Sequence, residues 1–233
     1  MNQVYLIENG SLKFRKAWAL QQKLAGHVTR HRDIHFFILT EHEAVITIGK
    51  SGSRNNLLVR PEFLKRHNID LEEIDRGGDI TFHGPGQTVG YPILDLKAFK
   101  KDVHWYLRTL EEVIIRTLKL FDITAGRVEG LTGVWVGDAK ICALGVKITR
   151  WVTMHGFALN VNTDLDYFRY IVPCGISDKQ VTSISRLIGN NVDQKHVNKE
   201  LVGQFEQVFG VTCLNPADSL VNTIESPTYI QEY

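Results

Sequence analysis

Three cysteines in 233 residues are too few for a disulfide framework, and none is spaced as a CxxC or as the Cys/His pairs of a zinc finger. A reducing compartment, the cytoplasm, is therefore expected. Charge of one sign is missing too. The 27 lysines and arginines face 26 aspartates and glutamates, and a net charge of +1 leaves no broad field to hold a phosphate backbone or an anionic membrane. Neither nucleic acid nor a membrane is expected as a partner. No apolar run approaches the roughly 18 residues of a membrane span, and the run in Met1-Asn2-Gln3-Val4-Tyr5-Leu6-Ile7-Glu8 is too short for a signal peptide. Internal repeats, low-complexity tracts and Pro/Ser-rich linkers are likewise absent. One α+β domain over residues 1–233 is expected, with a small C-terminal lobe after about residue 180 and a peripheral tail after about 215.

What is present is a globular composition, 43% hydrophobic and 23% charged, ample to bury a core. Short β-branched and aromatic runs at 4–7, 35–40 and 44–48 predict strands. Between the first two, Ser11 stands where it could cap a helix whose apolar residues Phe14, Ala17, Trp18, Leu24, Ala25 and Val28 recur at helical spacing. Arg60-Pro61-Glu62 opens a short helix, with proline where its missing N–H does no harm. A longer helix follows Asp102, and a last one, 197–209, is stopped by Gly210. The runs 134–136, 141–148 and 152–161 read as successive strands of a mixed or antiparallel sheet.

Three stretches carry possible chemistry. Arg76-Gly77-Gly78-Asp79-Ile80-Thr81-Phe82-His83-Gly84-Pro85-Gly86-Gln87 packs four glycines and a proline into twelve residues, which suits either close backbone approach to a ligand or a tight hairpin. It is neither a GxGxxG nor a P-loop. Cys174 sits between Pro173 and Gly175, in a turn that suits a nucleophile reached by substrate, whereas Cys142 and Cys213 suit burial. Lys140 opens an otherwise apolar strand, and such a lysine either points to water or serves the site. His155 reads as a core histidine or an acid–base. No carboxylate pair or His/Asp cluster suggests a metal site, and the GxSxG elbow of serine hydrolases is absent.

Together, residues 76–87, 133–145, 155–161 and 173–175 resemble the octanoyltransferase family of lipoate biosynthesis, over roughly residues 35–190. The stretch from Arg76 to Gln87 fits the family's RGGxxTxHGPGQ without departure. Its lysine strand resembles 139–145, its HGxALN segment 155–160, and its PCG nucleophile Cys174. Cys142, Phe157 and Val172 are the small departures, and Phe157 bears on chain-length preference. The resemblance implies mixed β-sheets flanked by helices, the fold of lipoate and biotin ligases, with the glycine-rich loop at the mouth of an acyl tunnel. It implies Cys174 and Lys140 as the catalytic residues. It implies substrate binding by Arg76, Gly77, Gly78, Asp79, Ile80, Thr81, Phe82 and His83, by Ala143, Leu144 and Gly145, and by Gly156, Phe157 and Ala158. The implied donor is octanoyl-acyl carrier protein. The implied acceptors are the lipoyl domains of 2-oxoacid dehydrogenase complexes and the glycine cleavage H protein, and no cofactor or metal is needed. An ATP-dependent lipoate or biotin ligase on the same fold is the alternative, against which Cys174 and HGPGQ weigh. A non-catalytic binder and a thiol hydrolase are further readings.

Overall fold

The structure is a computed structural model that describes residues 2–172 and 180–216. In chain order it opens with β1 (Asn2–Leu12), α1 (Phe14–Arg30), β2 (His35–His42), β3 (Val45–Ile48), α2 (Pro61–Arg66), β4 (Asp70–Glu73), β5 (Ile80–His83) and β6 (Gln87–Ile93). Then come α3 (Val103–Lys119), β7 (Gly126–Val128), β8 (Leu131–Val136), β9 (Ala139–Thr149), β10 (Val152–Asn160), β11 (Gln180–Val181), α4 (Ile184–Ile188), α5 (Gln194–Phe209) and β12 (Val211–Leu214).

Among the described residues these strands make two mixed sheets. The large one runs β12-β1-β2-β6-β10-β9-β8-β7, with β11 added parallel to β9, and the small one runs β4-β3-β5. Every residue of β10 is buried, as expected of a central strand covered on both faces. Alternation in β2 shows how the faces are used. Phe36 and Ile38 join Ala17, Leu24 and Val28 of α1 in one core, and Phe37 and Leu39 join Leu110 and Ile114 of α3 and Leu201 and Phe205 of α5 in another. Asp102 caps α3 by accepting from the Trp105 amide, and Gly210 ends α5 in the left-handed conformation at φ 64°.

Two expectations need correction. Ser11 does not cap α1. It lies in β1 opposite Glu41, so the parallel ladder to β2 carries the strand through Leu12, and the helix starts at Phe14 after an uncapped Lys13. The glycine-rich stretch is not a hairpin either, because β5 pairs with β3 in the small sheet while β6 pairs with β2 and β10 in the large one. The Gly84-Pro85-Gly86 turn is a crossing between sheets, as is the β2-to-β3 connection. These two crossings hang the small sheet beside β9 and β10. No helix of the described residues is long and apolar enough to cross a membrane.

Candidate active site

Between the two sheets lies a cavity of about 420 Å³, lined by parts of the glycine-rich stretch, the lysine strand and the 155–160 segment. From the first come Arg76, residues 78–81 and His83, from the second Lys140 and residues 143–145, and from the third residues 155–158. Gly77 and Phe82 do not line it. The Gly77 amide donates to the Val146 carbonyl and so laces the loop to β9. The Phe82 ring is buried in the small sheet's own core, stacked on Tyr167 at 4.5 Å between centroids. Phe157 contributes to the lining, but its ring belongs to the α3/α5 core, lying over Gly90 and against Phe37.

The close fit of the loop against β9 explains one glycine. A Cβ on Gly145 would stand 2.8 Å from the Gly77 carbonyl oxygen and 3.0 Å from Arg76 Cδ, inside contact distance. The buried Arg76 then clasps the small sheet: its Nη2 donates to both Thr47 O and Thr47 Oγ1 at 2.9 Å, and Nη1 donates to Gly77 O.

A directional chain of hydrogen bonds begins there. The Gln87 amide nitrogen donates to Phe82 O and Asn160 Oδ1, so Gln87 Oε1 must accept, and His83 Nδ1–H donates to it at 2.8 Å. His83 Nε2 is left as acceptor toward Thr47 Oγ1 at 3.4 Å, and that hydroxyl in turn accepts from Arg76. At the other end Asn160 Nδ2 donates to Thr182 O, and the Thr182 amide donates to the carbonyl of Lys140. The chain thus joins the glycine-rich loop to the lysine strand. Burial drives the His83 pKa down to about 3, with the neighbouring His42 adding to the effect, so the ring is neutral and serves as a fixed strut. Its neighbour His42 is held down to about 4 by burial; its Nδ1–H donates to Leu12 O, and Nε2 accepts from the Tyr91 hydroxyl at 2.7 Å.

His155 has a second polar arrangement. Its backbone is left-handed at φ 57°, its amide donates to Gln21 Oε1, and its Nε2 donates to Asp75 at 2.9 Å, while Lys147 donates to the other carboxylate oxygen. Burial would raise the Asp75 pKa, but the hydrogen bonds from Lys147 and His155 outweigh it and hold the group below the usual carboxylate range. Burial also wins at His155, whose pKa lies below the ordinary histidine value despite that carboxylate. Asp75 escaped the sequence reading because a lone carboxylate before a glycine pair carries no pattern of its own.

Lys140 is half-buried, its Nζ 4.9 Å from the centre of the Trp135 ring, a cation–π contact. The strand opposite is shaped to fit it. Glu111, buried in α3, accepts from the Gly133 amide, from Arg108 and from Arg127, which holds Gly133 at φ 134°, where a Cβ would crowd the Cys142 carbonyl oxygen and Lys140 Cε. Nothing in the sequence around Glu111, inside a helical stripe, marks it for this task.

Cys174 lies outside the described residues, as do Pro173 and Gly175. The described residues on either side are anchored at the cavity. The Val172 amide donates to Asn56 O, Asn56 Nδ2 donates to Asp79 Oδ2, and Val181 pairs with Lys140. Of the other two thiols, burial pushes Cys142 far above the ordinary value and Cys213 up to about 12, which leaves both protonated at neutral pH.

A mixed sheet with a cavity bounded by the lysine strand and the glycine-rich loop is the frame of this site, and the family of lipoyl protein ligase A/B catalytic domains matches residues 13–206. A bi-partite lipoate protein ligase, described with its E2 lipoyl domain from Thermoplasma acidophilum, has the same fold. It superposes with a TM-score of 0.75 over 100% of this chain and 95% of its own at 18% identity. Octanoyltransferases are much more similar in sequence. That of Cytophaga hutchinsonii is 46% identical over 89% of this chain and 93% of its own, and that of Solibacter usitatus 46% identical over 94% and 99%. The chain belongs to the octanoyltransferase family, and its activity is the transfer of octanoyl groups in protein lipoylation.

Proposed function

We propose that this octanoyltransferase takes its acyl group from octanoyl-acyl carrier protein, holds it as a thioester on Cys174 and delivers it to a lysine ε-amine of a lipoyl domain. Lipoyl domains of 2-oxoacid dehydrogenase complexes and the glycine cleavage H protein are the acceptors we assign. That the lipoate protein ligase of the same fold is described with an E2 lipoyl domain supports this class of acceptor. The observation that carries the reading is the cavity itself: mostly apolar, opening beside Lys140, and flanked by the two anchored ends of the chain that lead to Cys174.

In the first half-reaction the Cys174 thiol proton passes to the Lys140 amine, and the thiolate attacks the thioester carbonyl. The carbon–sulfur bond to the carrier's pantetheine breaks, and the leaving sulfur takes the proton back from the Lys140 ammonium. The exchange of one thioester for another is nearly isoenergetic, so no nucleotide is consumed. In the second half-reaction the acceptor amine attacks the acyl-enzyme and the amide forms. Cys174 leaves as thiolate, and the amine's proton ends on Lys140. The amide products lie downhill. Backbone N–H groups of the glycine-rich loop or of Gly145 would stabilise the oxyanion. We place the enzyme in the cytoplasm, where its thiols stay reduced.

Intact-protein mass spectrometry after mixing with octanoyl-acyl carrier protein tests this. One octanoyl group should appear on Cys174 without ATP, and leave on addition of an apo lipoyl domain. An adduct on Cys142 or Cys213, or a strict requirement for ATP and free octanoate, would overturn it.

A further inference from the structure

Exposure divides the cavity into a mouth and a floor. Ser51, Gly78, Gly130 and Thr132 on its rim are exposed, whereas Val89, Tyr91, Gln87 and His155 on its far side are buried. On the far side one residue, Phe14, comes from α1, and it is the only residue of that helix to touch the cavity. It is 3% exposed. Its ring lies parallel to His83 at 6.1 Å, edge-on to His42 at 5.3 Å, and backs onto Trp18 at 6.2 Å. Each of the other floor groups is committed elsewhere. Val89 is paired in β6, the Tyr91 hydroxyl is bonded to His42, and the Gln87 amide is held in the polar chain. The Phe157 ring, which the sequence reading associated with chain length, points into the opposite core.

We infer that Phe14 is the gauge that sets the length of acyl chain the enzyme accepts. This rests on the reading that the cavity holds the acyl chain. An acyl group attached at the mouth runs inward along Ala158 and Val89, and its terminal methyl stops on the Phe14 ring. Because the ring belongs to the first turn of a helix rather than to a sheet strand, its removal leaves every strand pairing intact.

The experiment uses the full-length enzyme with acyl-carrier-protein donors from hexanoyl to tetradecanoyl and an apo lipoyl domain, reading kcat/KM for each donor by mass spectrometry of the acceptor. Wild type should peak at octanoyl. In Phe14→Ala the decanoyl-to-octanoyl ratio should rise about fifteen-fold, roughly four-fold for each methylene newly buried. Phe14→Leu should give a smaller rise, and Phe14→Trp should move the optimum toward hexanoyl. Where the alanine variant melts too low to assay, the leucine and tryptophan variants decide, since their volume changes have opposite sign. Octanoyl transfer with one unaltered length profile across folded variants would overturn the gauge while sparing the reading of the site. Absence of acyl transfer from any donor by wild type would overturn both.

Discussion

Lowering the pH from 7 to 5 should destabilise this protein steeply, through two buried histidines whose hydrogen bonds go to no carboxylate. His42 and His83 are buried, with ring centroids 5.9 Å apart and pKa values held at about 4 and about 3, against 6.5 in an unstructured chain. Above 6.5 both folded and unfolded states carry neutral rings, and the pair leaves stability independent of pH. As pH falls below 6.5 the unfolded chain takes up two protons that the folded one refuses, so stability is lost, and the loss continues until pH reaches the folded values. Between pH 7 and 5 each ring contributes about 2 kcal/mol of loss, and the pair about 4 kcal/mol. Against a typical total of about 5–15 kcal/mol that is a large fraction. His27, His35 and His155, all displaced downward chiefly by burial, act in the same direction. Urea unfolding at half-unit pH steps measures the effect in a window where most carboxylates stay ionised. His83→Gln should be less stable than wild type at pH 7 yet lose about 2 kcal/mol less on going to pH 5. A flat profile in wild type, or a histidine ring at either position titrating near 6.5 by NMR, would refute the assignment of both rings as neutral struts.

Lys140→Met should move the pH profile for alkylation of Cys174 to higher pH, by an amount of order one to a few units, if the ammonium stabilises the thiolate; superimposable profiles would remove Lys140 from that role. Gly145→Ala puts a methyl 2.8 Å from the Gly77 carbonyl oxygen, so the glycine-rich loop must shift. Acyl transfer should fall by about a hundred-fold with a much smaller change in melting temperature, and parallel losses in both would indicate a purely structural glycine. Glu111→Gln weakens the hold on Arg108 and Arg127 while keeping an acceptor for Gly133, and should destabilise by about 2–3 kcal/mol in urea titrations. Slowed acyl-enzyme formation should accompany it, because Gly133 faces Lys140; full activity in the folded variant would separate Glu111 from the site.

Periodicity exposed the elements whose signals are local. The long helix after Asp102, the stop at Gly210 and the core strands of 134–161 were all legible because each depends on neighbours within a few residues. Strand β4 carries little signal: Asp70-Leu71-Glu72-Glu73 has one apolar residue, and it becomes a strand because β3 offers a parallel edge. Ser11 illustrates the converse, a good cap outcompeted by a ladder to β2 that no local pattern announces.

The site divides along the same line. The residues we propose to approach the acyl group are glycines or one-of-a-kind reactive groups, and these stand out in a sequence. The residues that hold them are ordinary ones brought in from afar: Thr47 from β3, Glu111 from α3, Asn160 and Thr182 from either side of residues 161–181. His83 shows why type alone misleads. By residue type a histidine can be an acid or a base, yet at His83 burial removes the charge and the acceptor requirement of Gln87 fixes the proton on Nδ1. Both facts depend on partners up to 77 positions apart along the polar chain, from Asn160 back to His83, so the role of the ring is decided by the fold and becomes visible only with it.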